Sequence, residues 1–139
     1  MIVVDASVWV SVFLAKDTHH AASLAWLRHV IAAGERFAAP SLLAVEVGSA
    51  VGRRTGDAAL AYRSVQRMTQ IAVIRWLPIN AALATKATGL AIDLRLRGAD
   101  AVYVAVAERL RLPLVSWDQE HLQRASARIT VQSPSTIMP

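Results

Sequence analysis

Short apolar runs of strand length alternate along this chain with longer stretches whose apolar residues recur at helical spacing. Ile2 to Val4 is continuously apolar, as a strand buried on both faces should be. A helix is expected over about Ser7 to Leu14. Thr18 is placed to cap a second helix, which carries Ala22, Leu24, Ala25, Leu27, Val30 and Ile31 and ends near Gly34. Phe37-Ala38-Ala39 is a short strand stopped by Pro40. Ser41 then caps a helix running to about Arg54, with Gly56 as its terminator. Asp57 caps the next helix, whose apolar positions are Leu60, Val65, Met68 and Ile71. Val73 to Leu77 forms a strand before Pro78. Asn80 to Arg95 is helical, Gly98 breaks the pattern, and Ala99 to Leu110 is a second helix, apolar almost all round. Leu114 to Ser116 is a strand, a short helix passes through Leu122, and Ile129 to Val131 closes the series. The tail from Ser133 to Pro139 reads as irregular. Strands alternating with helices predict an α/β fold with a mainly parallel sheet.

At 139 residues, with 55% apolar composition, the chain suits a single domain, 1–139, with one core. No apolar run approaches the roughly 18 residues that a membrane span needs. The opening run meets an acid at Asp5, unlike a secretory leader, so a cytoplasmic protein without a membrane partner is expected. There is no Cys, which excludes disulfides, thiolate metal sites and Cys nucleophiles. Net charge is +5, and 13 of the 15 basic residues are Arg. Arg grips phosphate through two parallel hydrogen bonds, so the balance favours a polyanionic partner. An Arg-rich solvated surface satisfies the same numbers.

Four of the ten acids stand in unusual places. Asp5 ends the first strand and precedes a helix, which suits an N-cap or a ligand at the carboxyl edge of a sheet. Asp118 repeats that arrangement after Leu114-Val115-Ser116-Trp117. Asp100 lies in the first turn of the apolar helix, where the helix dipole alone would favour it. Glu46 lies beyond the first turn of its helix, amid Leu42, Leu43 and Val47, where capping does not account for it. It needs an ion pair, such as Arg53 at helical spacing, or a metal. Convergence of the four would make a hard-cation site, since clustered carboxylates are costly without one. Ser7 and Ser116 are placed to orient these acids. Asp93, beside Arg95 and Arg97, reads as a solvated acid. The His residues at 19, 20, 29 and 121 form no zinc pattern, and no Gly-rich phosphate loop exists. The four Trp residues suit core or interface positions, and Trp9 with Phe13 could form a dimer or partner contact.

The blocks Val-Val-Asp-Ala-Ser-Val-Trp-Val at the start, Glu46 after Pro40-Ser41, Arg97-Gly98-Ala99-Asp100-Ala101-Val102-Tyr103-Val104-Ala105, and Leu114-Val115-Ser116-Trp117-Asp118 together resemble PIN-domain ribonucleases. The likeness is strongest to the VapC toxins of bacterial toxin–antitoxin pairs. It implies a three-layer α/β/α sandwich and a metal-dependent endoribonuclease using Mg²⁺ or Mn²⁺. Carried over residue by residue, the catalytic and metal-binding acids are Asp5, Glu46, Asp100 and Asp118, with Ser7, Ser116 and Arg97 in support. Ser116 stands where the family often has Thr, and the hydroxyl is retained. The resemblance further implies an RNA substrate, a homodimer and a cognate antitoxin.

Asp5 and Asp100 would hold the ion most directly, while Arg97, and Arg53 or Arg54, would hold phosphates. Two other readings stay open. One is a nucleic-acid-binding module whose acidic site is degenerate. The other is a phosphatase or phosphoacceptor with Asp5 as nucleophile, which lacks a second Asp two residues on and a Lys at a late strand end.

Overall fold

In the computed structural model, which describes residues 1–137, five short strands form one all-parallel sheet flanked by helices. The result is a three-layer α/β/α sandwich. In chain order the elements are β1 (Ile2–Val4), α1 (Ala6–Phe13), α2 (His20–Ala32), β2 (Phe37–Pro40), α3 (Leu42–Thr55), α4 (Ala58–Thr69) and β3 (Ile74–Leu77). There follow α5 (Ala81–Leu94), α6 (Gly98–Leu110), β4 (Leu114–Val115), α7 (Gln119–Arg124), a 3-10 turn at Ala125–Ala127, β5 (Val131–Gln132) and α8 (Pro134–Ile137).

The strand order is β3-β2-β1-β4-β5. The chain builds outward from β1 to β3, then returns to the other side of β1 for β4 and β5. β1 is therefore where the winding reverses, with β2 in register through Ile2 and Phe37 and β4 through Val3 and Leu114. At such a reversal the connections leave in opposite directions and open a crevice beyond the strand carboxyl ends. Asp5 is the first residue past β1, at the mouth of that crevice.

The core explains the strongly apolar segments. Every residue of α6 from Asp100 to Ala107 is buried, and the helix lies on β1, β2 and β4 with α5 beside it. On the side of α1 and α2, Trp9 meets Phe37 edge to face at 5.8 Å between ring centroids, and Trp26 approaches the same ring at 6.3 Å. Burying aromatic side chains of this size stabilises a fold by a few kcal/mol each, about 1.5–3 for Phe. Trp9 is thus a core residue, 1% exposed, and the expected partner contact through Trp9 and Phe13 fails at Trp9.

Several boundaries differ from expectation for local reasons. Thr18 does not cap α2, which begins at His20 behind His19. The Asp17 carboxylate accepts the His19 amide at 2.8 Å and forms the turn instead. Ser41 precedes α3, but its backbone is already helical (φ −57°, ψ −19°), and its hydroxyl makes no capping bond. Asp57 and Asn80 do cap, accepting the amides of Leu60 and Leu83 at 2.9 and 3.0 Å. Gly98 opens α6 rather than merely breaking α5, which ends at Leu94 and is capped by Arg95 with φ +54°. The final strand lies at Val131–Gln132. The tail contains the short helix α8 against α2, with Pro134 in the first helical position, where it needs no amide partner. Residues 138–139 of the expected irregular tail lie outside the described residues.

Leu43 is fully buried on α3, the helix that carries Glu46. Leu43→Ala should lower stability by about 2–5 kcal/mol. A urea titration should show a lower midpoint with an unchanged slope.

Candidate active site

Asp5, Glu46, Asp100 and Asp118 all line one cavity of about 240 Å³, together with Ser7 and Arg97. Each arrives by a different route. Asp5 follows β1, Asp118 follows β4 after a short extended segment, Glu46 projects from the second turn of α3, and Asp100 from the first turn of α6.

Cap and ligand were alternatives for Asp5 and Asp118, and here capping leaves part of each carboxylate available. Asp5 Oδ2 accepts the Ser7 amide at 3.0 Å and the Ser116 hydroxyl at 3.1 Å. Asp118 Oδ1 accepts the amides of Glu120 and His121 at 2.7 and 3.4 Å, leaving Oδ2 for Arg97. Helix starts thus fix the orientation of both acids through one oxygen.

Arg97 holds the centre of the cluster. Its Nε donates to Asp100 Oδ2 at 2.7 Å, and its Nη2 donates to Asp118 Oδ2 at 2.6 Å. The expected phosphate ligand is thus bonded to two of the four acids, with its side chain 67% exposed. These partners push its pKa above the ordinary Arg value, the Asp100 hydrogen bond most strongly.

Among the described residues Glu46 makes no ion pair with Arg53. Its Oε2 accepts the Tyr103 hydroxyl at 2.5 Å. Tyr103 is fully buried on α6, one turn beyond Asp100. The sequence reading missed this residue, although a Tyr in an otherwise apolar buried helix signals a hydroxyl that needs a partner. Burial lifts the Tyr103 phenol well above its ordinary pKa, and nearby acids reinforce the effect. It therefore acts as a donor to Glu46.

His121 is fully buried behind the site. Its Nε2 lies 3.1 Å from the Asp100 carbonyl, which can only accept, so Nε2 carries a hydrogen. Its Nδ1 lies 3.0 Å from Ser116 Oγ. The Ser116 hydroxyl also accepts the Asp118 amide at 2.9 Å, so it ties Asp5, Asp118 and His121 into one network. Ser7 Oγ lies 3.4 Å from Ser116 and accepts the Trp117 amide at 3.0 Å. Asp93 is exposed, as a solvated acid should be.

Among the described residues, no three His, Asp or Glu side chains are grouped closely enough to hold a metal ion as they stand. The four acids share a cavity, and a guanidinium occupies the position between two of them. The chemistry of the donors nevertheless fits a hard divalent cation: all are carboxylate oxygens, half-buried or buried, around a cavity of small volume. Burial raises the pKa of Glu46, the Tyr103 bond opposes it, and the charges of Asp5 and Asp100 raise it further. Burial likewise raises Asp100, against the pull of Arg97.

The family model for the PIN domain matches residues 2–127, and the chain belongs to that family. Its fold is similar to that of VapC20 from Mycobacterium tuberculosis, a toxin that cleaves the sarcin-ricin loop, with a TM-score of 0.75 at 18% identity over 94% of this chain and 97% of that one. FitAcB from Neisseria gonorrhoeae matches with a TM-score of 0.71 at 18% identity, covering 99% of this chain and 100% of the other. VapBC-1 from nontypeable Haemophilus influenzae gives 0.69 at 12% identity, covering 97% and 99%. At these identities the likeness is one of fold. Among curated proteins, none matches the sequence.

The raised Glu46 pKa has a consequence for stability. The native state keeps this proton to higher pH than the unfolded chain, where the usual glutamate value is 4.5. Across that interval the native state binds more protons, so stability falls as pH rises through it. Glu46→Gln keeps a neutral acceptor for Tyr103 and removes the titration. In metal-free protein, the variant's urea midpoint should gain on wild type as pH rises above 4.5. A pH-independent difference between the two would contradict this account.

Proposed function

We propose that this PIN domain is a Mg²⁺- or Mn²⁺-dependent endoribonuclease acting as the toxin of a toxin–antitoxin pair. The observation that carries the reading is the meeting of Asp5, Glu46, Asp100 and Asp118 in one cavity at the strand-order reversal. Four acids from four separate elements have no common structural need to converge. The basic composition, with a net charge of +5, suits a polyanionic substrate. The toxin assignment draws on the structural neighbours, several of which are toxin–antitoxin complexes. By the same analogy the protein would work in the cytoplasm, as a homodimer, and under the control of an antitoxin. No helix among the described residues is long and apolar enough to cross a membrane.

Asp5 and Asp100 would hold the ion most directly, with Glu46 and Asp118 completing the set. A bound Mg²⁺ or Mn²⁺ supplies Lewis acidity and lowers the pKa of a water that can attack phosphorus. The protein's own residues do the positioning. Ser7, Ser116 and His121 lock the Asp5 and Asp118 carboxylates from behind, and Tyr103 fixes Glu46. Arg97 neutralises Asp100 and Asp118 in the metal-free protein. Because it is largely exposed, it can turn from those acids to the phosphate of a bound RNA, as the sequence reading expected of it.

The purified, antitoxin-free protein should cut a panel of tRNA and stem-loop RNAs at discrete positions with Mg²⁺ or Mn²⁺ and not with EDTA. Asp5→Asn and Asp100→Asn should each reduce the rate by at least about a hundredfold, the scale of losing several kcal/mol of charge stabilisation. Unchanged cleavage in both variants would overturn the mechanism.

The seating of Arg97 among the acids favours a second reading, an RNA-binding PIN module without turnover. Salt-sensitive RNA binding with no cuts in any metal would select it. Calorimetric titration of Mn²⁺ separates the two roles of Arg97: Arg97→Gln should bind Mn²⁺ more tightly, since no guanidinium competes, yet bind RNA more weakly. Weaker Mn²⁺ binding in this variant would mean that Arg97 supports the ion site instead of competing for it.

A further inference from the structure

Ser7 and Glu46, which line the acidic cavity, also line a larger neighbouring one of about 440 Å³. Its volume falls in the range of small-ligand pockets, roughly 300–1,000 Å³. One wall is a stacked pair: the His19 imidazole lies on the Trp117 indole, with centroids 3.9 Å apart and planes 11° from parallel. Trp117 is held at two points: its indole Nε1 donates to Ser23 Oγ at 2.7 Å, and its backbone amide donates to Ser7 Oγ at 3.0 Å. His19 is exposed, lines the cavity, and rests one ring face on the indole. Residues of α3 also line the cavity. Glu46 and Arg53 are seven residues apart on that helix, two turns along one face, a separation of about 10 Å. Arg54 is paired with Asp17 at 2.8 Å, whereas Arg53 is exposed and makes no ion pair among the described residues.

We propose that this cavity receives an unpaired nucleobase of single-stranded RNA, stacked on His19, beside the phosphate presented to the acids, with Arg53 on the neighbouring phosphate. The inference rests on the nuclease reading for the position of that phosphate. A flat ring at the end of an ordered aromatic stack offers a face to any base, and proteins recognise RNA largely through unstacked bases laid on aromatic, His or Arg planes. The acids alone would repel a polyanion. The free guanidinium of Arg53, about two helical turns from Glu46, supplies the opposing charge. The substrate implied is an RNA whose base next to the cut is unpaired, in a loop, bulge or single strand, and not one within a continuous duplex.

The test reads binding and not cleavage. Full-length wild-type protein in EDTA is titrated into short single-stranded RNAs carrying 2-aminopurine at successive positions, where stacking quenches fluorescence. One position should be quenched. His19→Ala should weaken binding about tenfold, the scale of losing one stacked base, and His19→Phe should retain it. An abasic nucleotide at the quenched position should abolish the difference between wild type and His19→Ala. The proposal is overturned if RNA is not bound or no position is quenched. Equal weakening of the intact and abasic RNAs by His19→Ala also overturns it, since His19 would then act on the backbone charge. Cleavage of the same RNAs in Mg²⁺ or Mn²⁺, measured separately, with no position quenched in EDTA would keep the nuclease reading and remove the pocket. Quenching in EDTA, with no cleavage of the same RNA in Mg²⁺ or Mn²⁺, would keep the pocket and remove the nuclease.

Discussion

Gathering negative charge at the edge of an apolar sheet is the constraint on which the rest of this structure depends. Asp5 and Asp100 are buried and Glu46 is half-buried, within one small cavity. Desolvation and mutual repulsion both oppose such an arrangement. The fold meets the cost with a dedicated partner for each acid. Helix-starting amides hold Asp5 and Asp118, the Tyr103 hydroxyl holds Glu46, and the Arg97 guanidinium spans Asp100 and Asp118. The raised proton affinities of Glu46 and Asp100 show that this compensation is incomplete. The remaining imbalance is what a divalent cation would relieve.

These partners differ in exposure, and that difference suits the proposed chemistry. Ser116 and His121 are fully buried and bonded to one another, so the rear of the site is rigid. Arg97 reaches the same acids from the exposed side. A cation or a phosphate can therefore replace or recruit Arg97 without disturbing the network behind it. Under the proposed function, preorganised carboxylates with one exposed counter-charge would let the site be stable without metal and still accept it.

The four acids of the candidate site were legible because strand and helix periodicities expose misplaced polar residues. Glu46 stands out inside an apolar helix beyond capping range, and Asp5 and Asp118 end apolar strands. Asp93, adjacent to Arg residues on a polar face, reads as solvated and is exposed. The ends of elements were less legible. Asp17 takes the turn that Thr18 was expected to cap, and α8 forms in a segment with little periodic signal.

By itself, the amino-acid sequence determined the alternation of strands and helices, the parallel character of the sheet and which acids cannot be ordinary surface charges. Those properties follow from local period and from the cost of placing a carboxylate among apolar neighbours. Only the tertiary structure decided who meets whom. Tyr103 reaches Glu46 across 57 residues of chain, and Ser116 reaches Asp5 across 111. His121 enters the network from a short helix, Trp9 turns inward to Phe37, and Arg97 bonds to the acids it borders. Such pairings depend on strand order and on the packing of rotamers in three dimensions, and neither is written in the spacing of residues along the chain.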